Sequence, residues 1–293
     1  MRQPLSIAGA RVARIVDLDP FALPLSFLFP DADLGSLAQA RDILAGRHID
    51  YANARILLAV QSHLVRIGGR TILIDTCIGE DKQRPRRPDW HLRQHTGYLA
   101  ELAAAGCSPG DIDIVLCTHL HADHVGWNTR LESGRWVPTF RNARYLASRR
   151  ELDHWQAETA RQPEVNHASF QDSVLPVIEH GLIDAVSPGE AIAENARLVP
   201  LPGHAPGQIG LELSAGEGAR ALFCGDAIHS PAQIFRPEWS SAFCFDREEA
   251  VRTRQALIAR AAEENLALIP AHLRGNCMRI RMQGGIATPV VED

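Results

Sequence analysis

The sequence predicts a layered α/β fold, on three observations. Short apolar runs with strand character alternate with capped segments of helical length. Polar residues, histidine above all, collect just past the ends of those runs. The 293 residues are 45% hydrophobic and 22% charged, the balance of a chain that buries an ordinary core. A chain of this length hides about three quarters of the surface it exposes when unfolded, so it folds without disulfides or a structural metal. Extended disorder, collagen-like repeats and coiled coil are excluded.

The elements follow in order. The first fifty residues carry Pro4, Pro20, Pro24 and Pro30 among apolar residues and show weak periodicity. They read either as an arm over the domain or a partner subunit, or as edge strands. Ile56–Ile67 and Thr71–Asp75 read as strands joined by a Gly68-Gly69 hairpin turn. Asp89 caps a helix expected to run to about Ala105, where Gly106 ends it. Asp111–Cys117 reads as a buried strand. Ser148 with Glu151 forms a capping box for a helix to about Ala160. Arg197–Leu201, Gln208–Leu213 and Ala219–Cys224 are strands, Asp246 with Glu249 caps a helix to about Glu264, and Leu266–Ile269 is a short strand. The expectation is a single domain over 1–293, with 1–50 as an N-terminal arm or extension.

Thirty basic and 35 acidic residues leave a net charge of −5, which argues against broad phosphate-backbone binding. The run Lys82-Gln83-Arg84-Pro85-Arg86-Arg87 is the exception, read first as a solvated loop and second as an anion site. Six cysteines, at 77, 107, 117, 224, 244 and 277, form neither a disulfide framework nor a Cys-x-x-Cys motif. Cys77, Cys117 and Cys224 sit in apolar runs as small buried hydrophobes. Reduced thiols, no signal-like start after Met1-Arg2-Gln3-Pro4, and an apolar stretch Phe21–Phe29 too short to span a bilayer together predict a soluble cytoplasmic protein.

The chemistry gathers in Thr118-His119-Leu120-His121-Ala122-Asp123-His124. Alternation in an extended segment puts His119 and His121 on one side, and a turn at Asp123-His124 presents a second pair. Two ligand pairs from one loop suit two adjacent metal ions better than one tetrahedral structural site.

At these residues the sequence resembles the metallo-β-lactamase superfamily of metal-dependent hydrolases. Pro202-Gly203-His204-Ala205-Pro206-Gly207 is similar to its second histidine loop, and Phe223-Cys224-Gly225-Asp226 to its strand ending in a metal-bridging aspartate. Pro270-Ala271-His272 is similar to its last histidine loop, and Leu73-Ile74-Asp75-Thr76 to its early strand. The resemblance spans about residues 55 to 275. It implies a four-layer αββα sandwich, with His119, His121 and His204 on one metal, Asp123, His124 and His272 on a second, and Asp226 bridging. Nitrogen and oxygen donors of this kind suit Zn, and also Mn, Fe or Co. In such enzymes a metal-bridging hydroxide attacks the substrate.

Asp75 and Thr118 are candidates to orient the ligands from behind. Asp75 also reads as a turn residue at a strand end. Gly203 and Gly207 are expected to shape the loop that aims His204. The remaining histidines read as surface or satisfied core residues.

The resemblance narrows the substrate to esters, with lactonase-like and methyl parathion hydrolase-like branches nearest. Where the lactonases commonly carry Tyr three residues after the bridging Asp, this chain has His229, an Asp-x-x-His arrangement more like the organophosphate branch. His229 therefore reads either as assisting the leaving group or as a turn histidine, with Asp226, His229 and Asp123 as the catalytic candidates. Trp127, Phe235, Trp239 and Phe243 are candidate pocket walls or core residues. Trp155 reads as packing. The alternatives are a glyoxalase II-type thioesterase and a metal-binding protein without turnover. Small-molecule substrates and a C2 homodimer through the apolar N-terminal segment are the expected partners, with no nucleic acid and no membrane.

Overall fold

The computed structural model describes residues 4–216 and 219–293. Two compact units divide the chain, one formed mainly by Ala10–Leu18 and Val60–Asn195, the other mainly by Asp19–Ala59 and Ala196–Asp293.

The first unit is built on a mixed sheet. Strands β1 (Ala10–Pro24) and β2 (Arg55–Ile67), whose residues are shared between the units, are followed across it by β3 (Arg70–Ile74), β4 (Ile114–Leu116), β5 (Arg144–Ser148) and β6 (Ile183–Val186). Gly68 and Gly69, at φ +55° and +71°, make the predicted hairpin, and Ile67 pairs with Arg70. Both central turn residues must be left-handed in a tight hairpin of this hand, which glycine supplies without strain. From β3 through β6 the strands run parallel, with Ile74 beside Leu116 and Leu116 beside Leu146. Their C-terminal ends therefore open on one edge, the place where parallel sheets hold ligands. Asp75 leaves β3 there, Thr118 and His119 leave β4, and Ser148 leaves β5 to cap helix α2 (Arg149–Arg161), the second helix after α1 (Tyr98–Ala104), by accepting the Glu151 amide.

Three expectations for this unit are corrected. The helix capped by Asp89 does not form. The helix here, Tyr98–Ala104, starts only after Gly97, because Leu92, His95 and Gly97 all take positive φ and break any helical run. The segment before it is held instead by tertiary bonds, with Arg93 donating to the Asp17 carboxylate at 2.8 Å and Asp81 N–H to the Arg93 carbonyl. The basic run is a solvated loop only at Gln83, Pro85 and Arg86, which are exposed. Lys82 and Arg84 are fully buried on Asp172: Arg84 makes a bidentate pair at 2.6 and 2.9 Å, and Lys82 Nζ lies 3.0 Å from the Asp172 carbonyl and 3.5 Å over the Trp136 ring. The strand expected over 111–117 shortens to Ile114–Leu116, since Pro109–Asp111 form a 3-10 turn closed by Ser108 and Asp111.

The second unit is a sheet of β7 (Ala196–Pro200), β8 (Ile209–Ala215), β9 (Ala219–Gly225), β10 (Ala267–Pro270), β11 (Cys277–Gln283) and β12 (Ile286–Glu292). Only β9 and β10 pair in parallel, so Asp226 and His272 emerge at the same end. A register shift between Phe223 and Gly225, with Gly225 at φ +51°, turns the chain at Asp226. Helix α3 (Arg247–Glu263), capped by Asp246 as its sequence predicts, buries Leu257, Ile258 and Ala261 in one cluster with Leu222, Leu268 and Met278.

Within residues 1–50, Ile15, Phe29, Leu44 and Ile49 are buried, so these residues supply core as well as surface. No helix among the described residues is long and apolar enough to cross a membrane. All six cysteines are free, and burial pushes the Cys77 and Cys117 thiols up, as expected of inert core residues.

Candidate metal centre

The ligand loop of the first unit is fixed from behind. Asp75 takes the Thr118 amide on one oxygen at 2.8 Å, and the Thr118 hydroxyl and His124 Nδ1 on the other, each at 2.9 Å. A carboxylate only accepts, so Nδ1 of His124 carries the proton and Nε2 is left as a lone pair. The same reasoning reaches His119. The Thr118 hydroxyl has spent its one hydrogen on Asp75, so His119 Nδ1, 3.1 Å away, must donate to it, which puts the ring's lone pair on Nε2. That nitrogen meets His121 Nδ1 at 3.1 Å, and the His119 and His124 ring centroids are 4.0 Å apart. Asp123 Oδ1 lies 3.9 Å from His124 Nε2. The loop thus presents His119 and His124 with their outer nitrogens committed, beside the donors of His121 and Asp123.

Backbone interlocking makes this placement rigid. Thr76 N–H donates to the His124 carbonyl, Gly126 N–H to that of Cys77 and Trp127 N–H to that of Thr76. The approach is so close that a Cβ on Gly126 would sit 1.8 Å from the Ile78 carbonyl oxygen.

Two residues the sequence did not single out steady the middle of the loop. The buried Glu151 carboxylate accepts the Leu120 amide at 3.1 Å and the Trp155 indole N–H at 2.9 Å, and that indole meets the His121 ring edge-on. Glu151 was legible only as a helix-capping residue. Asn166 clasps the same turn, accepting the Ala122 amide at 3.1 Å and donating to the Leu120 carbonyl at 2.7 Å. It begins three consecutive left-handed residues, Asn166, His167 and Ala168, a strained stretch of the kind found near functional sites.

The second unit gathers His204, Asp226, His229 and His272. The Nε2 atoms of His204, His229 and His272 lie 3.4, 3.2 and 3.3 Å from Asp226 Oδ2. His204, Asp226 and His229 offer ligand atoms within 4.8 Å of one another, all buried. His272 Nδ1 sits 2.8 Å from the Ala59 carbonyl, so it too carries the proton and turns a lone pair toward a carboxylate oxygen. Lone pairs facing at that distance repel unless a proton or a cation lies between them. The donor set therefore fits a divalent metal bound by imidazole nitrogen and carboxylate oxygen.

The surrounding loops aim these groups. Gly203, at φ +117°, lets the His204 loop lie on the start of α3, where a Cβ would come within 2.2 Å of the Ala250 nitrogen. The Asp226 amide donates to Gln208 Oε1 at 3.3 Å and the His229 amide to Gln233 Oε1 at 2.7 Å. Arg254, buried on α3, gathers the carbonyls of Ala227, Pro237 and Trp239 and so holds the His229 loop. Burial holds the His229 pKa below its ordinary value against the opposing pull of Asp226, and its Nδ1 makes no hydrogen bond among the described residues. Behind His204 stands Cys244, with Sγ 3.6 Å from Nδ1.

Of the aromatic candidates, Trp127 is buried with its ring stacked on Tyr98 at 5.2 Å, and Trp239 is buried against Phe29. Phe235 is half-buried, and Phe243 is exposed.

A family model described as the metallo-beta-lactamase superfamily matches residues 55–272. The chain belongs to the metallo-β-lactamase superfamily. Solved structures of the same fold include the hydrolase AbOPH of the beta-lactamase superfamily, 22% identical with a TM-score of 0.79, covering 99% of this chain and 97% of that one. AidC, a dizinc quorum-quenching lactonase seen with a homoserine product, is 19% identical with a TM-score of 0.78 over 99% of this chain and 97% of its own. A probable metal-dependent hydrolase from Staphylococcus aureus is 16% identical with a TM-score of 0.79 over 99% of both chains. A search of curated proteins finds no match. The superfamily's α/β sandwich is thus the fold of this chain, as the sequence motifs imply.

Proposed function

We propose that the protein is a dinuclear metal-dependent hydrolase of esters, lactones or phosphotriesters, acting as one catalytic domain over 1–293 with 1–50 as an extension. In this reading His119, His121 and His204 hold one divalent ion, Asp123, His124 and His272 the other, and Asp226 both. The nitrogen and oxygen donors favour Zn, with Mn, Fe or Co as substitutes. The observation that carries the proposal is the set of committed outer nitrogens. His119, His124 and His272 each give Nδ1–H to Thr118, Asp75 and the Ala59 carbonyl, which makes Nε2 the ligating nitrogen of each. When bound, such a metal pair supplies a hydroxide nucleophile at neutral pH and polarises the group attacked.

The protein's own residues orient and move protons. Asp75 and Thr118 hold the ligand rings in one tautomer. His229, 3.2 Å from Asp226, is the candidate to pass a proton between that carboxylate and the leaving group. A lactone or aryl ester is the preferred class, supported by likeness to the lactonase AidC and the hydrolase AbOPH. A cytoplasmic location and a C2 homodimer belong to the same proposal. Light scattering at micromolar concentration should give about twice the 32.2 kDa of one chain.

The test is pH-stat proton release by the Zn- or Mn-loaded protein across lactones, aryl esters, an S-acyl glutathione, a β-lactam and an organophosphate. Turnover on an oxygen ester that Asp226→Asn abolishes is the expected result. Preference for the thioester would move the protein to the glyoxalase II type. Two bound metals with silence across the panel would favour a binding role without turnover.

A further inference from the structure

His121 is held differently from its neighbours. His119 and His124 are fixed through their own rings, by Thr118 and Asp75. Around His121 it is the backbone that is gripped. The Leu120 carbonyl accepts from Asn166 Nδ2 at 2.7 Å, and the Ala122 amide donates to Asn166 Oδ1 at 3.1 Å. Those two groups belong to the peptides on either side of His121, whose own backbone is extended at φ −66° and ψ 155°. One carboxamide therefore fixes both peptides, as a neighbouring strand would, and with them the direction of the His121 side chain. Glu151 secures the same turn from α2. Its Oε2 takes the Leu120 amide at 3.1 Å and the Trp155 indole N–H at 2.9 Å, and the indole lies edge-on to the His121 ring at 5.6 Å.

Asn166 reaches the turn from a backbone that has to be enforced. Asn166, His167 and Ala168 stand at φ +49°, +58° and +60°, a left-handed run that such residues keep only where their surroundings over-determine it. The enforcement comes from the buried basic cluster. Arg84 Nη1 donates to the His167 carbonyl at 3.0 Å while the same guanidinium is paired with Asp172, and the Trp90 ring lies 5.8 Å from that of His167. The cluster thus holds the stretch that presents Asn166 to His121.

We propose that Asn166 is a positioning residue, which aims His121 at its metal ion by locking the peptides on both sides of it. This deepens the dinuclear reading and rests on it for the grouping of His121 with His119 and His204. The support is specific to that ion, because the histidines of the other, His124 and His272, take their orientation from Asp75 and the Ala59 carbonyl.

The experiment uses Asn166→Gly, which removes the carboxamide and takes the left-handed backbone without strain. Zinc affinity is read by chelator competition. Loss of an outer support typically costs about ten- to a hundredfold in affinity. One of the two zinc equivalents should therefore weaken at least tenfold and the other less than about threefold. Two ligand-deleted backgrounds identify the weakened ion. In His272→Ala the remaining ion is the one on His121 and should feel Asn166→Gly in full, whereas in His204→Ala it should not. Glu151→Gln, which keeps an oxygen for both donors, should hold that ion more tightly than Glu151→Ala. Equal losses for the two ions, the mark of a loop loosened as a whole, overturn the proposal, and so does unchanged affinity for both. Should the wild type bind fewer than two zinc ions, the dinuclear reading fails, and hydrogen exchange at the Ala122 amide decides the lock. Exchange sped at least tenfold by Asn166→Gly, with the Cys117 amide on the Leu146 carbonyl unchanged, upholds it. Unchanged exchange at Ala122 overturns it.

Discussion

One oxygen of Asp75 serves both His124 Nδ1 and the Thr118 hydroxyl at 2.9 Å, so a single carboxylate sets the tautomer of two candidate ligands, His124 directly and His119 through Thr118. Asp75 itself sits at φ +55°, where aspartate is tolerated better than most residues. Removing such an outer partner typically costs ten- to a hundredfold in metal affinity. Asp75→Ala should therefore weaken metal binding by that factor, read by chelator competition. Thr118→Val should loosen it less, since Asp75 still holds His124. Wild-type affinity in Asp75→Ala would remove the orienting role.

The crossing of the 76–78 and 124–127 segments leaves no room for a side chain. A Cβ on Gly126 would lie 1.8 Å from backbone, whereas one on Gly134, at φ +76°, meets nothing within 4 Å. Gly134→Ala should cost about 1 kcal/mol, from backbone conformation alone. Gly126→Ala should cost more than about 4 kcal/mol or yield insoluble protein, the range reserved for a broken buried feature. Thermal denaturation of the two variants checks the contrast, and similar midpoints would contradict it.

The sequence made the site more legible than its support. Ligand types are dense at 119–124 and each remaining candidate ligand follows a recognisable strand end, so local pattern was enough to nominate them. Ser148 and Asp246 announced their helices because capping is a local act. Asp89 also looked like a cap, but the bonds that decide its segment come from Asp17, 76 residues away from Arg93. Lys82 and Arg84 looked like a charged loop for the same reason, their partner Asp172 lying 88 residues beyond Arg84. Glu151 showed its capping position and hid its carboxylate's real work on Leu120 and Trp155. Long-range polar contacts leave no periodicity to read.

That buried cluster makes its own prediction. Asp172 is the carboxylate that meets both the Lys82 and the Arg84 side chains, each with no exposed surface. Burial, opposed by Asp172, pushes the Lys82 pKa down to about 7. Removing one partner of a buried ion pair typically costs about 3–5 kcal/mol, because the other charge stays behind unpaired. Asp172→Asn should fall in that range by urea denaturation near neutral pH. Arg84 is the charge left stranded, because without Asp172 the Lys82 pKa falls further and its amine goes neutral, so adding Arg84→Met should recover part of the loss. A loss below about 1 kcal/mol in Asp172→Asn would show that solvent reaches the cluster.

His48 and His63, neither of them among the candidate ligands, set a pH dependence of their own. Burial, the larger cause, and neighbouring arginines push each pKa down to about 3 from 6.5. Between those values the unfolded chain binds a proton at each site that the folded chain refuses. Unfolding free energy therefore rises with pH across that window and falls as pH drops from about 6.5 toward 3. The slope from one such histidine approaches about 1.4 kcal/mol per pH unit. Replacing His63 with Gln removes its titration, so the change in urea stability between pH 6.5 and 4.5 should be smaller than in the wild type by up to about 2–3 kcal/mol. His48→Gln should act in the same direction. Equal pH slopes in wild type and both variants would mean that these histidines take up protons in the folded state.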